Sequence, residues 1–320
     1  MKGCAMRVDS AAYKRPFFYR LKKDFKRNYT LYILLSVVIA FYIIFMYVPM
    51  YGAIIAFKNY SPAKGILGSP WAKNGGMEHF IRFFNGPYFT RLIRNTFLIS
   101  FYDLIFGFPA PIILALLINE VKNRAFKKTV QTISYMPYFI SLIVVVGMIK
   151  QFSATNGFFN DIIAFFGGTR SPILNNPNLY RPIYVASNIW QGVGWGSVIY
   201  LAALSGVDAQ LYEAATIDGA NKWKQMLHVT LPGISPTIII MLILRIGSLM
   251  SVGYEKTILL YNDAVMKTAD VISSYVYRVG ILDTSWSYST AVGLFNSIIN
   301  FILVLGANWI SRKVSETSLW

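Results

Sequence analysis

Six apolar runs divide this chain, and each is long enough to cross a lipid bilayer. The first, residues 30–57, carries no charged side chain, and about 20 apolar residues suffice for a helix to cross the hydrocarbon core. The others cover residues 95–119, 129–149, 182–207, 231–254 and 284–311. Because a backbone in lipid must satisfy its own hydrogen bonds, such runs form helices. The sequence therefore predicts an all-α integral membrane protein with six spans.

The positive charge of the chain is explained by its membrane topology. The formal net charge is +16, which on a soluble domain would suggest a nucleic-acid partner. Here Lys and Arg lie between the apolar runs, and they are more frequent in the two ends and in the short segment 120–128. Positively charged segments stay in the cytosol. We therefore predict cytosolic termini, the lipid bilayer as surroundings and no nucleic-acid partner.

A polar segment, residues 208–235, separates the fourth and fifth runs. It contains Glu213-Ala214-Ala215, then Gly219 after three intervening residues, and Val229-x-Leu231-Pro232 after nine more. The pattern predicts a helix with Glu213 in its first turn, where the helix dipole favours a carboxylate. A turn at Gly219 would lead to a second short helix with Trp223 on one face, and Pro232 would keep that helix from continuing unbroken into the next span.

This spacing resembles the EAA loop of ABC importer permeases, the cytosolic loop that docks on the ATPase. Further runs resemble the oligosaccharide and polysaccharide branch of that family, including FGFPAPIILALLINEVKN (106–123), VQTISYMPYF (130–139) and WGSVIYLAALSGVDAQLYEAATIDGA (195–220). The resemblance implies a six-helix permease core with a cytoplasmic coupling helix. It implies as partners a sister permease subunit, two ATPase subunits, an extracytoplasmic solute-binding protein and an oligosaccharide. ATP and Mg would bind the ATPase subunits, with no cofactor in this chain.

Three regions follow from this reading of the chain. Residues 1–29 form a basic cytoplasmic segment, either a short interfacial helix or a disordered tail, since aromatic residues recur among its Lys and Arg. Residues 30–313 form the permease domain, and residues 314–320 a cytoplasmic tail. The expected location is the bacterial cytoplasmic membrane.

Candidate residues for the substrate path are polar or aromatic side chains within the spans. Amide groups and aromatic faces bind sugars, but amides also join helices to one another, and both interpretations stay open. The candidates are Asn188, Trp190, Gln191 and Trp195 in the fourth span and Asn296 and Asn300 in the sixth.

Two cations suggest an acidic cargo. Arg245 lies nine residues after Pro236 in the fifth span, where an ionisable side chain is a functional hypothesis by default. Lys150 lies at the outer end of the third span. The resembled branch includes importers of alginate and pectin fragments, whose carboxylates would suit a guanidinium. Alternatively, Arg245 forms a structural ion pair and the cargo is a neutral oligosaccharide.

Catalytic motifs are absent from the sequence. A Walker A motif needs Gly-Lys, which never occurs, and the two histidines, His79 and His228, do not form a zinc motif. The single cysteine, Cys4, excludes an internal disulfide. We therefore expect a non-catalytic transport subunit. An ion-coupled secondary sugar carrier is the alternative of another class, and the EAA-like segment argues against it.

Overall fold

The computed structural model describes residues 17–314 and 318–319. Within these residues the chain is helical, and its only β contact is an isolated bridge between Lys58 and Trp71. This agrees with the predicted all-α class. The chain divides into two compact units, residues 1–54 and 55–320.

The first unit contains helix α1 (Phe17–Arg27) and most of helix α2 (Tyr29–Phe57). The amide of Asn28 donates to the Asp24 carboxylate at 2.7 Å, and the Tyr32 hydroxyl donates to the same carboxylate at 2.6 Å. These bonds tie the end of α1 to the start of α2. The predicted helix within the basic segment is present from Phe17 onward, and the earlier residues lie outside the described part. Its place at a membrane surface stays a prediction.

The second unit begins with short helices and continues with long ones. Helix α3 is Glu78–Phe84, α4 is Phe89–Glu120, α5 is Arg124–Phe139, α6 is Leu142–Phe152, α7 is Phe158–Phe165 and α8 is Pro177–Ser205. They are followed by α9 (Ala209–Ile217), α10 (Lys222–Gly247), α11 (Tyr254–Leu260), α12 (Ile272–Tyr277) and α13 (Trp286–Val314).

Four helices in the described part are long and apolar enough to cross a membrane: α2, α4, α10 and α13. Helices α5 and α6 together form a fifth candidate, but they are bent by 100°. The predicted third span, residues 129–149, is therefore not one continuous helix. Pro137 lies in a short 3₁₀ turn, Met136–Phe139, and Ile140 and Ser141 then adopt extended backbone angles.

Three prolines within these long helices are each preceded by a π-helical turn. The turns are Ile43–Tyr47, Asp103–Gly107 and Met226–Thr230, and each ends two residues before Pro49, Pro109 or Pro232. A proline has no backbone N–H and its ring collides with the carbonyl four residues earlier. The wider π turn moves that carbonyl away. The prediction that the helix does not continue unbroken at Pro232 is confirmed, because α10 runs through this proline but the π turn Met226–Thr230 interrupts its α-helical hydrogen bonding.

Close packing of α8 against α5 depends on Gly194. A Cβ atom built on Gly194 would lie 2.0 Å from the backbone oxygen of Ser134. A Cβ atom built on Gly196 would lie 3.1 Å from the side chain of Pro111 in α4. The glycines at 194 and 196 therefore allow close helix packing, whereas Gly192 has open space beside it.

Part of the segment between α10 and α13 is buried, although residues 255–283 lie between two of the apolar runs. Leu260, Val265 and Val271 are at most 1% exposed and pack with Ile99 of α4 and Tyr184 of α8. Ile272 and Tyr275 belong to a second cluster with Phe83 and Tyr288. Short helices thus enter the bundle between the last two long ones. The apolar residues of this segment come in runs that are too short to indicate this.

Candidate transport path and coupling segment

The EAA-like segment folds as two helices joined by a turn. Asp208 caps α9 by accepting a 2.9 Å hydrogen bond from the Gln210 amide. Because this cap starts the helix at Ala209, Glu213 lies in the second turn, and its predicted place in the first turn is wrong. Gly219 has φ +76°, a left-handed conformation that residues with a Cβ rarely adopt. The predicted turn at Gly219 is confirmed.

Hydrogen bonds hold the two helices of this segment together. The buried Gln225 side chain donates to the Thr216 hydroxyl and to the Ala220 carbonyl, both at 3.0 Å. The hydroxyls of Tyr212 and Thr230 lie 3.0 Å apart. These contacts fix the geometry from within and leave the outer surface free for another function.

The outer surface of the segment is apolar in several places. The exposed side chains include Ile217, Trp223, Leu211 and Leu227. Glu213 and Ala214 are exposed as well, Ala215 is half-buried, and Leu231 and Pro232 lie at the start of the following α-helical stretch. Clustered apolar side chains on an exposed knob are typical of a surface that another protein covers.

An ion pair links this segment to the end of α4. The Lys222 ammonium lies 3.5 Å from the Glu120 carboxylate. Both side chains are exposed, so the pair adds little stability. It does show that the C-terminal end of α4 and the EAA-like segment are neighbours.

Arg245 has a partner within the chain. Its guanidinium forms an ion pair with the Asp103 carboxylate of α4. Asp103 is buried, while the Arg245 side chain is 48% exposed. Arg245 lies in the last turn of α10, which ends at Gly247, and does not interrupt a span that continues to residue 254. A cation is favoured there by the helix dipole.

A second buried cation lies beside this pair. The Lys256 ammonium of α11 donates to Oδ1 of Asn188 at 2.5 Å and lies 5.1 Å from the ring centre of Tyr184. The Asn188 amide nitrogen lies 3.4 Å from Oδ1 of Asp103, the outer limit of a hydrogen bond. No carboxylate lies within ion-pair distance of Lys256 among the described residues. Helix α11 is not one of the candidate spans, and burial lowers the pKa of the Lys256 ammonium to about 8.

These side chains border two adjoining cavities of about 280 and 490 Å³. Asp103, Asn188 and Arg245 line both cavities, and Gln191 and Lys256 line the smaller one. The lining carries two cations and one carboxylate, a net charge of +1. Such a cavity favours an anionic ligand.

The other predicted path residues lie elsewhere. Trp195 stacks on Tyr138 with ring centres 5.1 Å apart, and Trp190 is exposed. Asn300 joins α13 to the end of α10, since its Oδ1 accepts from the Met250 amide at 2.9 Å. Lys150 is exposed in the last turn of α6 and lines neither cavity.

Asn296 belongs to a separate cavity of about 680 Å³ that is lined mostly by apolar and aromatic side chains. Its buried Oδ1 has no hydrogen-bond partner among the described residues. Gln191 reaches the Ile140 carbonyl at 3.5 Å. The structure thus brings together Arg245, Asn188 and Gln191, and separates them from the other candidates.

Sequence reasoning missed Lys256 and the role of Asp103. Lys256 lies outside the six apolar runs, where a lysine is unremarkable. Asp103 lies inside the run 95–119 but is not among the predicted path residues. The sequence did contain a signal for the Asp103–Arg245 ion pair. An ionisable residue within a span needs a partner, and these two residues carry opposite charges in two different spans.

Known proteins of one family match this chain. The profile of the family described as the binding-protein-dependent transport system inner membrane component matches residues 107–316. The chain belongs to this family. It is therefore a multi-pass inner-membrane component of a transport system.

Two relatives from Bacillus subtilis (strain 168) match nearly the whole chain. Protein LplB is 44% identical over 92% of both chains. The polygalacturonan/rhamnogalacturonan transport system permease protein YteP is 41% identical over 98% of this chain and 97% of its own.

Two solved structures share the fold. One is a bacterial ABC transporter involved in the import of the acidic polysaccharide alginate, with a TM-score of 0.84 and 42% identity over 92% of this chain and 99% of the matched chain. The other is a bacterial alginate ABC transporter in complex with an alginate pentasaccharide-bound periplasmic protein. Its TM-score is 0.85 and its identity 41%, over 94% of this chain and all of the matched chain.

Proposed function

We propose that this chain is a permease subunit of an ATP-driven importer of acidic, uronate-containing oligosaccharides. The observation that carries the proposal is Lys256, a buried cation that lacks a carboxylate partner in the described chain and borders the same cavity as the Arg245–Asp103 pair. Since Asp103 already compensates Arg245, the excess positive charge belongs to Lys256. A uronate carboxylate on the cargo would balance it.

The similarity to known proteins supports this cargo. The relative YteP is named for polygalacturonan and rhamnogalacturonan, and the two solved structures are named for alginate. All three are acidic polysaccharides. A malto-oligosaccharide would leave Lys256 without a counter-charge. Other relatives are named for arabino-oligosaccharides and lactose, at 29% and 27% identity, so a neutral cargo is the alternative.

The proposed assembly contains a sister permease subunit, two ATPase subunits that bind ATP and Mg, and a solute-binding protein outside the membrane. One solved structure includes a periplasmic protein loaded with an alginate pentasaccharide, which supports the last partner. The exposed apolar knob formed by α9 and the start of α10 would dock on an ATPase subunit. This chain would hydrolyse no ATP itself.

The proposed topology has six spans with cytosolic termini. Helices α2, α4, α10 and α13 would be four of them, and the bent pair of α5 and α6 the fifth. Helix α8, which has 29 residues, would be the sixth. Its Asn188 and Gln191 lower its mean hydropathy, and both line the smaller cavity.

Uptake by the complete complex in liposomes tests the proposed cargo. The complex would be supplied with its binding protein and ATP, and uptake of trigalacturonate and trimannuronate compared with that of maltotriose. We expect uptake of at least one uronate trimer and little uptake of maltotriose. Uptake of maltotriose alone would show that the cargo is neutral.

A further inference from the structure

Three arginine–tyrosine pairs surround a cavity of about 670 Å³ that lies apart from the two cavities beside Arg245. In each pair the guanidinium carbon lies over a tyrosine ring, at 4.5 to 5.5 Å from the ring centre. The pairs are Arg82 with Tyr288, Arg91 with Tyr88, and Arg278 with Tyr275. This volume falls within the range of ordinary ligand sites, about 300–1,000 Å³.

One buried carboxylate positions two of the three arginines. Asp270 is 0% exposed, and its Oδ2 accepts from Arg91 at 3.1 Å and from Arg278 at 2.8 Å. The Ser274 hydroxyl donates to the other oxygen at 3.0 Å. The two guanidiniums are therefore fixed, and both side chains still have exposed surface, 29% and 26%.

The arginines leave the cavity positively charged. Nε of Arg91 and Nη1 of Arg278 are buried without an acceptor among the described residues, so a ligand would contact the part of each side chain that is exposed. Arg82 has no carboxylate within ion-pair distance in the same part of the chain. With Asp270 behind the cavity and Asp283 at its edge, three guanidiniums face two carboxylates, which leaves a net charge of +1.

The cavity lies at the opposite end of α4 from the EAA-like segment. Helix α4 begins at Phe89, next to Tyr88 and Arg91 of the cavity, and ends at Glu120, which pairs with Lys222. Its 32 residues extend about 48 Å at about 1.5 Å per residue, more than the hydrocarbon core of about 30 Å. If the EAA-like segment is cytosolic, this cavity faces outward.

We infer that this outer cavity is an entry subsite that binds a carboxylate-bearing sugar before it reaches the cavity of Arg245 and Lys256. The inference rests on the proposed function. A guanidinium can bind a carboxylate through two parallel, charge-assisted hydrogen bonds. Tyrosine contributes an apolar ring and a hydroxyl, which suit the two faces and the hydroxyl groups of a sugar.

Protection of an introduced cysteine tests this subsite directly. Met266 lines the cavity and is half-buried. In the complete complex carrying Cys4→Ser and Met266→Cys in this chain, we would measure the rate at which a small hydrophilic maleimide labels the chain. Trigalacturonate or trimannuronate, added without the binding protein, is expected to slow labelling, and maltotriose is not.

Arg82→Gln removes a cation without exposing a buried carboxylate. We expect the half-protecting uronate concentration to rise about tenfold, the effect of losing one charge-assisted hydrogen bond. Arg94→Gln, an exposed site on α4 outside the cavity, is the matched control and should leave protection unchanged. Lys256→Met should also retain protection, because it alters only the inner cavity.

The outcomes separate this inference from the proposed function. Uptake of uronate trimers without protection of residue 266, or equal protection in Arg82→Gln, would refute the outer subsite and leave the function standing. Protection by the unloaded binding protein alone, lost in Arg82→Gln, would identify the arginines as a protein-docking contact and would overturn the inference. If uronates were neither taken up nor able to protect residue 266, both proposals would be refuted.

Discussion

The Lys256 ammonium donates a 2.5 Å hydrogen bond to Oδ1 of Asn188. The nitrogen of the same amide lies 3.4 Å from the Asp103 carboxylate. Asn188 therefore separates a cation from an anion that would otherwise neutralise it, and the carboxylate pairs with Arg245 instead. This arrangement keeps one positive charge at the cavity wall, available to a ligand.

Removing the charge of Lys256 is predicted to weaken uptake of an acidic cargo selectively. In Lys256→Met, we expect uptake of a uronate trimer at subsaturating concentration to fall about tenfold, because one charge-assisted contact is lost. Basal ATP hydrolysis by the complex should change little. Lys150→Met is the matched control, since Lys150 is an exposed lysine that lines neither cavity. Equal loss in both variants would contradict a specific role for Lys256.

Uptake of the acidic cargo is predicted to weaken as the pH rises through about 8. Burial lowers the pKa of Lys256 to about 8, so the ammonium is protonated below this value and neutral above it. The other charged groups that line the same cavity are Arg245 and Asp103. In Lys256→Arg the guanidinium stays charged, and the alkaline decline should disappear. A decline of the same size in Lys256→Arg would show that another group titrates.

The sequence indicated Arg245 and Asn188 as path residues because polar side chains are rare within apolar runs. It could not show that Asp103 compensates Arg245, because the two residues are 142 positions apart and meet only when α4 and α10 pack. Lys256 was hidden for a related reason. Burial of the segment that carries it depends on contacts with α4 and α8, which leave no periodic pattern in the segment itself.

The Arg245–Asp103 pair is predicted to contribute to stability as a pair. Arg245→Gln leaves the Asp103 carboxylate buried and unpaired, and breaking a buried pair in this way costs about 3–5 kcal/mol. The Arg245 side chain is 48% exposed, so we expect a smaller loss. Asp103→Asn combined with Arg245→Gln should recover part of the loss. Thermal unfolding of the purified complex compares each single variant with the double variant. If the stability losses of the two single variants simply added up in the double variant, the two residues would not stabilise the chain as a pair.

Gly219 is predicted to be essential for the shape of the coupling segment. Its φ of +76° strains any residue with a Cβ, most of all a β-branched one, although no atom lies close enough to clash. Gly219→Val should therefore reduce sugar-stimulated ATP hydrolysis strongly while the chain still inserts. Gly219→Asn is the control, because asparagine tolerates this conformation better. Full stimulation in Gly219→Val would show that this turn does not transmit the signal.

The EAA-like spacing predicted the turn at Gly219 and the two helices around it. An interruption at Pro232 followed from the sequence, because proline is usually a helix breaker, but its form as a π turn did not, because such a turn has no local signature. The same applies to Pro109, where the π turn Asp103–Gly107 precedes the proline. Asp103 lies at the start of this turn, next to the wider backbone.

Membrane topology is predicted to place the EAA-like segment and the outer cavity on opposite sides. Ile217 of the segment is 87% exposed, and Leu67, in the loop before α3, is 80% exposed. In a Cys4→Ser chain assembled in intact cells, a membrane-impermeant maleimide should label Leu67→Cys and not Ile217→Cys. Permeabilising the cells should then make Ile217→Cys reactive, which controls for its accessibility. Labelling of Ile217→Cys in intact cells would place the segment outside, where no ATPase could reach it, and both the docking proposal and the outward-facing arginine cavity would be wrong.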